Sequence, residues 1–311
     1  AIPASYPLNL GMCGMHGKYE ATKAQSECDL LLAVGVRFSD RATGDKREYT
    51  KKCTTVHIDI DRAELGKNIS PDISMWGDVK EILGQILAVV PQCEHPEWIE
   101  EVEGYRKVSK TLEFSGFNPR NILEEVNKHM APDTVVATDV GQHQMWTMQY
   151  YKFEKPHTLL SSGGLGTMGY GFGAAIGGCF ASGKKRTLFV TGDGSFGMNM
   201  NEMITAVKQK LPITIILMNN HVLGMVRQWQ TIFYDSRYSQ TVLERQIDYP
   251  LFAKAFGAEG YSVSDMDALK AALDAADKAE GPVLIECKIG KDERVLPMIP
   301  AGRSIKDVIL K

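Results

Sequence analysis

The sequence has no apolar run approaching the roughly 20 residues of a membrane-spanning helix, and no basic-plus-apolar leader opens it. Its longest hydrophobic stretches are strand-sized, which argues for a water-exposed domain protein rather than an anchored one. A basic surplus is also missing. With 35 Lys and Arg against 38 Asp and Glu, the net charge is -3, so no nucleic-acid partner is suggested. The six cysteines (Cys13, Cys28, Cys53, Cys93, Cys179 and Cys287) include no CxxC pair. They read as reduced, mostly core thiols of a cytoplasmic protein, with a metal or disulfide framework as the lesser reading. Internal repeats and low-complexity tracts are absent too. What remains is a chain of 311 residues, 44% hydrophobic, long enough for about two domains with substantial cores.

Short apolar runs alternate with helical periodicity, the pattern of an α/β protein built from doubly wound parallel sheets. Asp29–Gly35 and Thr54–Asp59 are strands of a first unit, which extends to about residue 105 with three clear strands, fewer than a doubly wound domain normally has. A helix over Val79–Val90 packs on it, and Pro91–Pro96 breaks the pattern. Glu97–Lys110 is charged and helical, and Phe114–Pro119 is a linker. The domains are accordingly 1–105, a linker at 106–118, and 119–311. The second unit comprises a helix over 119–130 and strands at Thr134–Thr138, Thr187–Thr191, Ile213–Met218 and Val283–Cys287.

Two of those strands end on oxygen-bearing residues. Thr187–Thr191 stops at Gly192-Asp193-Gly194, and Ile213–Met218 stops at Asn219-Asn220. Between them, Asn199–Lys210 places Met200, Met203, Ile204 and Val207 on one helix face. The resulting βαβ unit brings Asp193 and Asn220 to one carboxyl edge. A carboxylate and an amide carbonyl suit Mg²⁺ or Ca²⁺, and Mg²⁺ completes its shell with water and phosphate oxygens, so the implied ligand is a diphosphate. Gly192 and Gly194 allow close backbone approach, and a helix starting near Asn199 would offer free N–H groups. Taken singly, GDG and NN are turns; taken together they point to a metal–diphosphate site.

This spacing resembles the signature of thiamine diphosphate enzymes. Gly141–Trp146 (GQHQMW), Gly163–Gly171 (GGLGTMGYG) and Asn219–Gln230 (NNHVLGMVRQWQ) resemble the large catalytic subunit of acetohydroxyacid (acetolactate) synthases. Gly14–Gly17, Gly35–Arg41 and His57–Asp61 resemble the flavin-binding middle domain of that family, and Leu296–Pro300 fits its C-terminal segment. The resemblance implies a partial middle domain followed by a thiamine diphosphate-binding domain. It further implies that the chain begins partway through the middle domain, without the N-terminal domain whose glutamate starts cofactor activation, and that the isolated chain is inactive.

Carried over residue by residue, the resemblance implies Mg²⁺ on Asp193, Asn220 and the backbone carbonyl of Val222. Thiamine diphosphate would be held by Gly141, Gln142, His143, Gly166, Met168, Gly192, Gly194, Ser195, Asn220 and Met225. Met168 would wedge the cofactor into its bent shape, while Met225 and Trp229 would line the acceptor pocket. Apolar packing is the alternative for all three, and a satisfied turn histidine for His143. FAD, chiefly structural in the family, would lie on Met15, His16, Gly35, Arg37, Arg41, Asp59, Ile60 and Asp78. Arg37 and Arg41 flank a strand end suited to a pyrophosphate and Asp59 one suited to a ribose, with solvated surface charge as the alternative for the arginines. Ser39 stands where the family has Asp, and Ala42 where it usually has Val.

The implied reaction condenses pyruvate, with loss of CO₂, with a second 2-ketoacid such as pyruvate or 2-ketobutyrate, in branched-chain amino acid biosynthesis. The implied assembly is a homodimer or larger homo-oligomer, and a regulatory small subunit stays open. Gly164-Leu-Gly166-Thr-Met-Gly169 also satisfies GxGxxG, but Lys155–Leu160 is a poor strand to precede a dinucleotide fingerprint, and the expected acid would fall near Phe189. Two other readings remain: a thiamine-dependent 2-ketoacid decarboxylase or pyruvate oxidase, and a catalytically silent fragment.

Overall fold

The computed structural model describes residues 2–110, 115–244 and 247–310. The chain forms two compact units, Leu10–Glu113 with Leu296–Lys311, and Ala1–Asn9 with Phe114–Val295. Both ends therefore depart from the boundaries 1–105 and 119–311. The C-terminal segment joins the first unit because the Ile299 N–H donates to the Met15 carbonyl (2.8 Å) and the Asp45 N–H to the Arg303 carbonyl (3.0 Å). The N-terminal residues join the second, where the Ala4 N–H donates to the Phe153 carbonyl (2.8 Å). Of the linker expected at 106–118, residues 106–110 are helical and 111–114 lie outside the described residues.

In the first unit, α1 (Tyr19–Glu27), β1 (Leu30–Val34), α2 (Asp40–Thr43), α3 (Lys46–Tyr49), β2 (Thr54–Asp59), β3 (Ile73–Trp76), α4 (Val79–Val89) and α5 (Pro96–Lys110) follow in order. The three strands form a parallel sheet in the order β1-β2-β3. Helix α4 forms as expected, capped by Asp78, but Val79, Leu87 and Val89 face solvent and none of its residues is fully buried.

The second unit contains α6 (Pro119–His129), β4 (Val135–Thr138), α7 (Gln142–Tyr150), β5 (Leu159–Ser161), α8 (Tyr170–Ala181), β6 (Thr187–Gly192), α9 (Asp193–Asn199), α10 (Met203–Lys208), β7 (Ile213–Asn219), α11 (Gly224–Phe233), α12 (Tyr249–Phe256), β8 (Glu259–Val263), α13 (Met266–Ala276) and β9 (Val283–Lys288). Its six strands are all parallel, in the order β5-β4-β6-β7-β9-β8. Alternate residues feed two cores. Val136, Leu188, Val190, Ile216 and Ile285 face one side with Ile122, Leu123, Leu269 and Leu273. Ala137, Phe189, Ile215, Leu217 and Leu284 face the other with Phe172, Phe196 and Met203. Each of the larger aliphatic and aromatic side chains among these contributes roughly 1.5–3 kcal/mol on burial, which is why strands covered on both faces carry continuous apolar, β-branched runs.

The helix expected over Asn199–Lys210 is instead α9, starting directly at Asp193, a 3₁₀ turn at Met200–Glu202, and α10. The break follows Asn199, whose side-chain N–H donates to the Gly169 carbonyl at 2.6 Å. It rotates the face, so that Met203 and Ala206 are buried while Ile204 is 54% exposed. Helix α8 packs closely on β4 as its small residues suggest, but Gly171 and Gly178 make the approach. A Cβ on Gly171 would lie 2.7 Å from the Asp139 nitrogen, whereas Gly173 and Gly177 face open space.

Candidate active site

The strand order places a topological switch between β4 and β6, since the chain leaves β4 for β5 on one side and returns to β6 on the other. Ligands of open α/β sheets bind in the crevice beyond the carboxyl ends of such strands. Asp139–His143 follow β4 there, and Gly192–Ser195 follow β6.

Asp193 is the first residue of α9, so its carboxylate and the helix's unpaired N–H groups share one end. β6 and β7 pair in parallel through Gly192↔Met218, which sets Asp193 beside the Asn219–Val222 turn. Asp193 is 5% exposed. Burial pushes its carboxyl up to about 6, offset in part by the charge of His221 and by main-chain N–H groups including those of Gly194 and His221. A desolvated acid against this turn is a fitting donor for a hard cation.

The turn is itself tightly specified. Asn220 Oδ1 accepts the Val222 N–H at 3.1 Å, leaving a second lone pair. His221 takes a left-handed φ of 57°, a conformation that costs a non-glycine residue on the order of 1–2 kcal/mol. Its N–H donates to Asn219 Oδ1 (3.2 Å) and its carbonyl accepts from Leu243 (2.8 Å).

Three further segments converge. Asp139 Oδ1 accepts the N–H groups of Gly169 (2.7 Å) and Val140 (3.1 Å), fastening the 162–169 loop to the end of β4. Burial raises the Asp139 carboxyl. Ser195 donates its hydroxyl to the Val140 carbonyl at 2.6 Å, tying α9 to the same place. A Cβ on Gly194 would lie 3.7 Å from Met168 Cε and 3.1 Å from Leu223 Cδ2, so Gly194 separates the loop of Met168 from the NN turn. Gly166 has φ +66° and lies on the exposed part of that loop. The GxGxxG segment does connect a strand to a helix, but the strand is the three-residue edge β5. The position expected for a ribose-binding acid is Phe189, wholly buried.

Gln142 and His143 open α7, with Gly141 as its N-cap. The Gln142 side-chain amide donates to Gln228 Oε1 (3.0 Å) and the Glu293 carbonyl (2.8 Å), and its Oε1 accepts from Asn220 (3.3 Å). With both amide hydrogens committed, Gln142 acts on the crevice by holding Asn220. His143 lies against the GDG turn, where a Cβ on Gly192 would be 2.8 Å from its Nδ1. Burial lowers its pKa to about 3, against a main-chain hydrogen bond at Asp139. The ring is therefore neutral, and its buried Nε2 has no hydrogen-bond partner among the described residues. Such an orphaned donor–acceptor at the crevice fits a polar ligand.

Helix α11 leaves the NN turn at Gly224. Met225 packs against the core of the unit, and Trp229, one turn on, stacks edge-on against Phe233 at 5.3 Å. Asp139, Gln228 and Glu286 organise this region without having been singled out in the sequence, and Asn219, read there only as half of the NN turn, orders it through its side chain. For Asp139 the available signal was its place directly after a strand.

The residues expected to hold flavin lie in the first unit, where β1, β2 and β3 end side by side. Gly35 (φ +63°) follows β1, and a Cβ there would meet nothing within 4 Å. Asp59 ends β2, its Oδ1 accepting the Asp61 N–H at 2.8 Å, and Ile60 beyond it is exposed. Asp78 follows β3 and accepts the Lys80 N–H at 2.8 Å. Met15, His16 and Arg41 meet through the Met15 N–H to Arg41 carbonyl bond (2.8 Å), and burial with the nearby Arg41 charge lowers His16 to about 4. Arg37 is exposed. An open glycine position, two arginines and adjacent strand-end acids fit a dinucleotide. A cavity of about 60 Å³ beside Met15, walled by Tyr49 and Arg303, touches neither Asp59 nor Asp78 and is a different feature.

A parallel sheet whose switch-point crevice joins a buried strand-end acid to an asparagine turn defines a diphosphate-binding class, and comparison with known families agrees. Residues 139–287 match the thiamine pyrophosphate enzyme C-terminal TPP-binding domain, and residues 1–86 the central domain of the same enzymes. The chain is 41% identical over 310 residues to an acetolactate synthase large subunit of Porphyra purpurea, covering 96% of this chain and 52% of that protein. It is 37% identical over 311 residues to the acetolactate synthase isozyme 2 large subunit of Escherichia coli K12, covering 100% and 57%. For the Lactococcus lactis large subunit the identity is 38% over 312 residues, covering 99% and 54%. The chain belongs to the thiamine pyrophosphate enzyme family, on the branch of the acetolactate synthase large subunits. It spans about half the length of the curated relatives it matches.

Proposed function

We propose that the crevice between β4, β6 and β7 binds Mg²⁺ and thiamine diphosphate for acetolactate synthase chemistry. The reaction is the decarboxylating condensation of pyruvate with a second 2-ketoacid, pyruvate or 2-ketobutyrate, in branched-chain amino acid biosynthesis. The observation that carries this reading is the buried Asp193 carboxylate lying against the Asn219–Val222 turn, a hard-oxygen donor set at the switch point. Bound there, thiamine diphosphate would supply the nucleophilic carbon and the electron sink for decarboxylation.

The chain's own residues do the rest. Asp193, Asn220 Oδ1 and the Val222 carbonyl hold the cation. The N–H groups opening α7 and the His143 ring would face the diphosphate, while Gly192 and Gly194 let the backbone approach. Met168, held by the Asp139-fastened loop, shapes the cofactor end of the pocket; Met225 and Trp229 on α11 shape the acceptor end and exclude water.

FAD in a structural role is assigned to the strand ends of the first unit. The outward face of α8, with Tyr170 and Phe180 exposed beside Gly173 and Gly177, and Leu165 at 93% exposure support a homo-oligomer. The relatives are named large subunits, which supports a small-subunit partner. Among the described residues no helix is long and apolar enough to cross a membrane, in keeping with a cytoplasmic enzyme.

Calorimetry tests the core of this reading. The chain should bind thiamine diphosphate only with Mg²⁺, and Asp193→Ala should abolish binding; undiminished affinity would refute the metal assignment. In the active enzyme, Trp229→Leu should change the ratio of acetolactate to acetohydroxybutyrate, and an unchanged ratio removes Trp229 from the acceptor pocket.

A further inference from the structure

Beyond the residues that face the crevice, β9 carries an acid in the middle of an apolar strand. Glu286 is 4% exposed. Both of its oxygens are occupied: Oε1 accepts from Asn219 Nδ2 at 2.6 Å and Oε2 from the Ser262 hydroxyl at 2.6 Å. The register explains the pairing. Ser262 lies opposite Glu286 across β8–β9, and Leu217, opposite it across β7–β9, is two residues before Asn219 on the same face.

We infer that Glu286 is a positioning residue for the cation-binding turn, acting through Asn219; the inference rests on the metal reading proposed above. A carboxylate only accepts hydrogen bonds, so it compels Asn219 to present its amide nitrogen inward and its Oδ1 outward. That oxygen takes the His221 N–H at 3.2 Å and so holds the left-handed His221, with Asn220 and Val222 on either side. The Asn219 main chain is held independently, its carbonyl accepting the Ile289 N–H at 3.0 Å, so only the side chain's orientation depends on Glu286. Released, Asn219 could turn its NH₂ toward the His221 N–H, two donors facing each other, and the turn would relax.

The test compares Glu286→Leu with Glu286→Gln, whose Oε1 can still accept from Asn219 while its NH₂ donates to Ser262. In the ligand-free chain, hydrogen exchange of the 219–224 segment should rise about tenfold or more in Glu286→Leu and stay near wild type in Glu286→Gln, with the β6 segment unchanged in both. Affinity for Mg²⁺ with thiamine diphosphate should fall about 10–100-fold in Glu286→Leu and recover in Glu286→Gln, as for other partners of metal ligands. Should Glu286→Leu fail to fold, Asn219→Ala reads the same grip from its other end. Unchanged exchange at 219–224, or a Gln variant as loose as the Leu variant, overturns the inference. Intact exchange behaviour with no cation-dependent binding by the wild-type chain overturns the metal reading and leaves the grip standing.

Discussion

Gly224 provides the sharpest measure of how tightly the crevice is built. It opens α11, where exchanging glycine for alanine ordinarily gains up to about 1 kcal/mol of helix stability. Here a Cβ would lie 1.9 Å from Gln142 Oε1 and 3.0 Å from Asn220 Nδ2. The clash falls on the end of a side chain, and relief would be cheap if that side chain could swing away. It cannot do so freely, because its nitrogen is engaged by Gln228 (3.0 Å) and the Glu293 carbonyl (2.8 Å), and its oxygen by Asn220 (3.3 Å). Losing three buried hydrogen bonds at about 0.5–1.5 kcal/mol each outweighs the propensity gain, so Gly224→Ala should destabilise by roughly 1–3 kcal/mol. Gly173→Ala in α8, where a Cβ meets nothing within 4 Å, is the control and should gain up to about 1 kcal/mol. Urea unfolding of the two variants measures the sign, and calorimetry with Mg²⁺ and thiamine diphosphate should show weakened binding for Gly224→Ala alone. A Gly224→Ala chain as stable as wild type and binding as well would refute the pinned-amide argument.

Three other outcomes follow from the same structure. The Asp193 carboxyl is raised from 3.8 to about 6 in the fold, so the stability it contributes is complete below the unfolded value and is lost as pH rises through the folded one. Asp193→Asn should therefore stabilise the ligand-free chain by about 2–3 kcal/mol at pH 8 and progressively less toward pH 4, while removing cation binding; a pH-independent difference in urea midpoint contradicts this. Cys93 is exposed, whereas Cys179 and Cys287 are buried and burial raises their thiol pKa values, so mass spectrometry after brief alkylation should find label on Cys93 well before either of them. Ile216→Ala, at a fully buried position between two strands, should cost roughly 2–5 kcal/mol in urea unfolding, and a loss below about 1 kcal/mol would contradict its place in the core.

Much of the fold was legible because its central strands are buried on both faces. Thr187–Thr191 and Ile213–Met218 are continuous apolar, β-branched runs and Val283–Cys287 is one broken only by Glu286, and they are β6, β7 and β9 almost to the residue. The edge strand β8 is harder to see, since Glu259-Gly-Tyr-Ser-Val263 has an exposed face and reads as ordinary polar sequence. Helix α12 is short, announced only by Asp248 capping the Leu251 N–H at 2.8 Å and by Gly257 at its end. The α9–α10 break was hidden for another reason: an Asn199 bond to Gly169, thirty positions away in the chain, decides where the first helix stops. Periodicity cannot register an interaction of that range, so Ile204 was placed inward and lies outward.

The crevice shows the same division between local and distant information. Asp193 and Asn220 are conspicuous because each ends a strand, and a strand end names its own neighbourhood. Glu286 and Gln228 carry no local mark of their task; a carboxylate buried in the otherwise apolar Val283-Leu-Ile-Glu-Cys287 must be partnered, but the sequence does not say by what. Which partner takes it is decided by register. Glu286 shares a face with Leu284, and that face meets Ser262 on β8 and Asn219 on β7. Slipping β9 by one residue would turn the carboxylate into the opposite core, among Val190, Ile216 and Leu273, with neither partner in reach. The acid that grips the Asn219–Val222 turn thereby also penalises mispairing of the strand that carries it, so one pair of hydrogen bonds bears on both the register of β9 and the geometry of the turn.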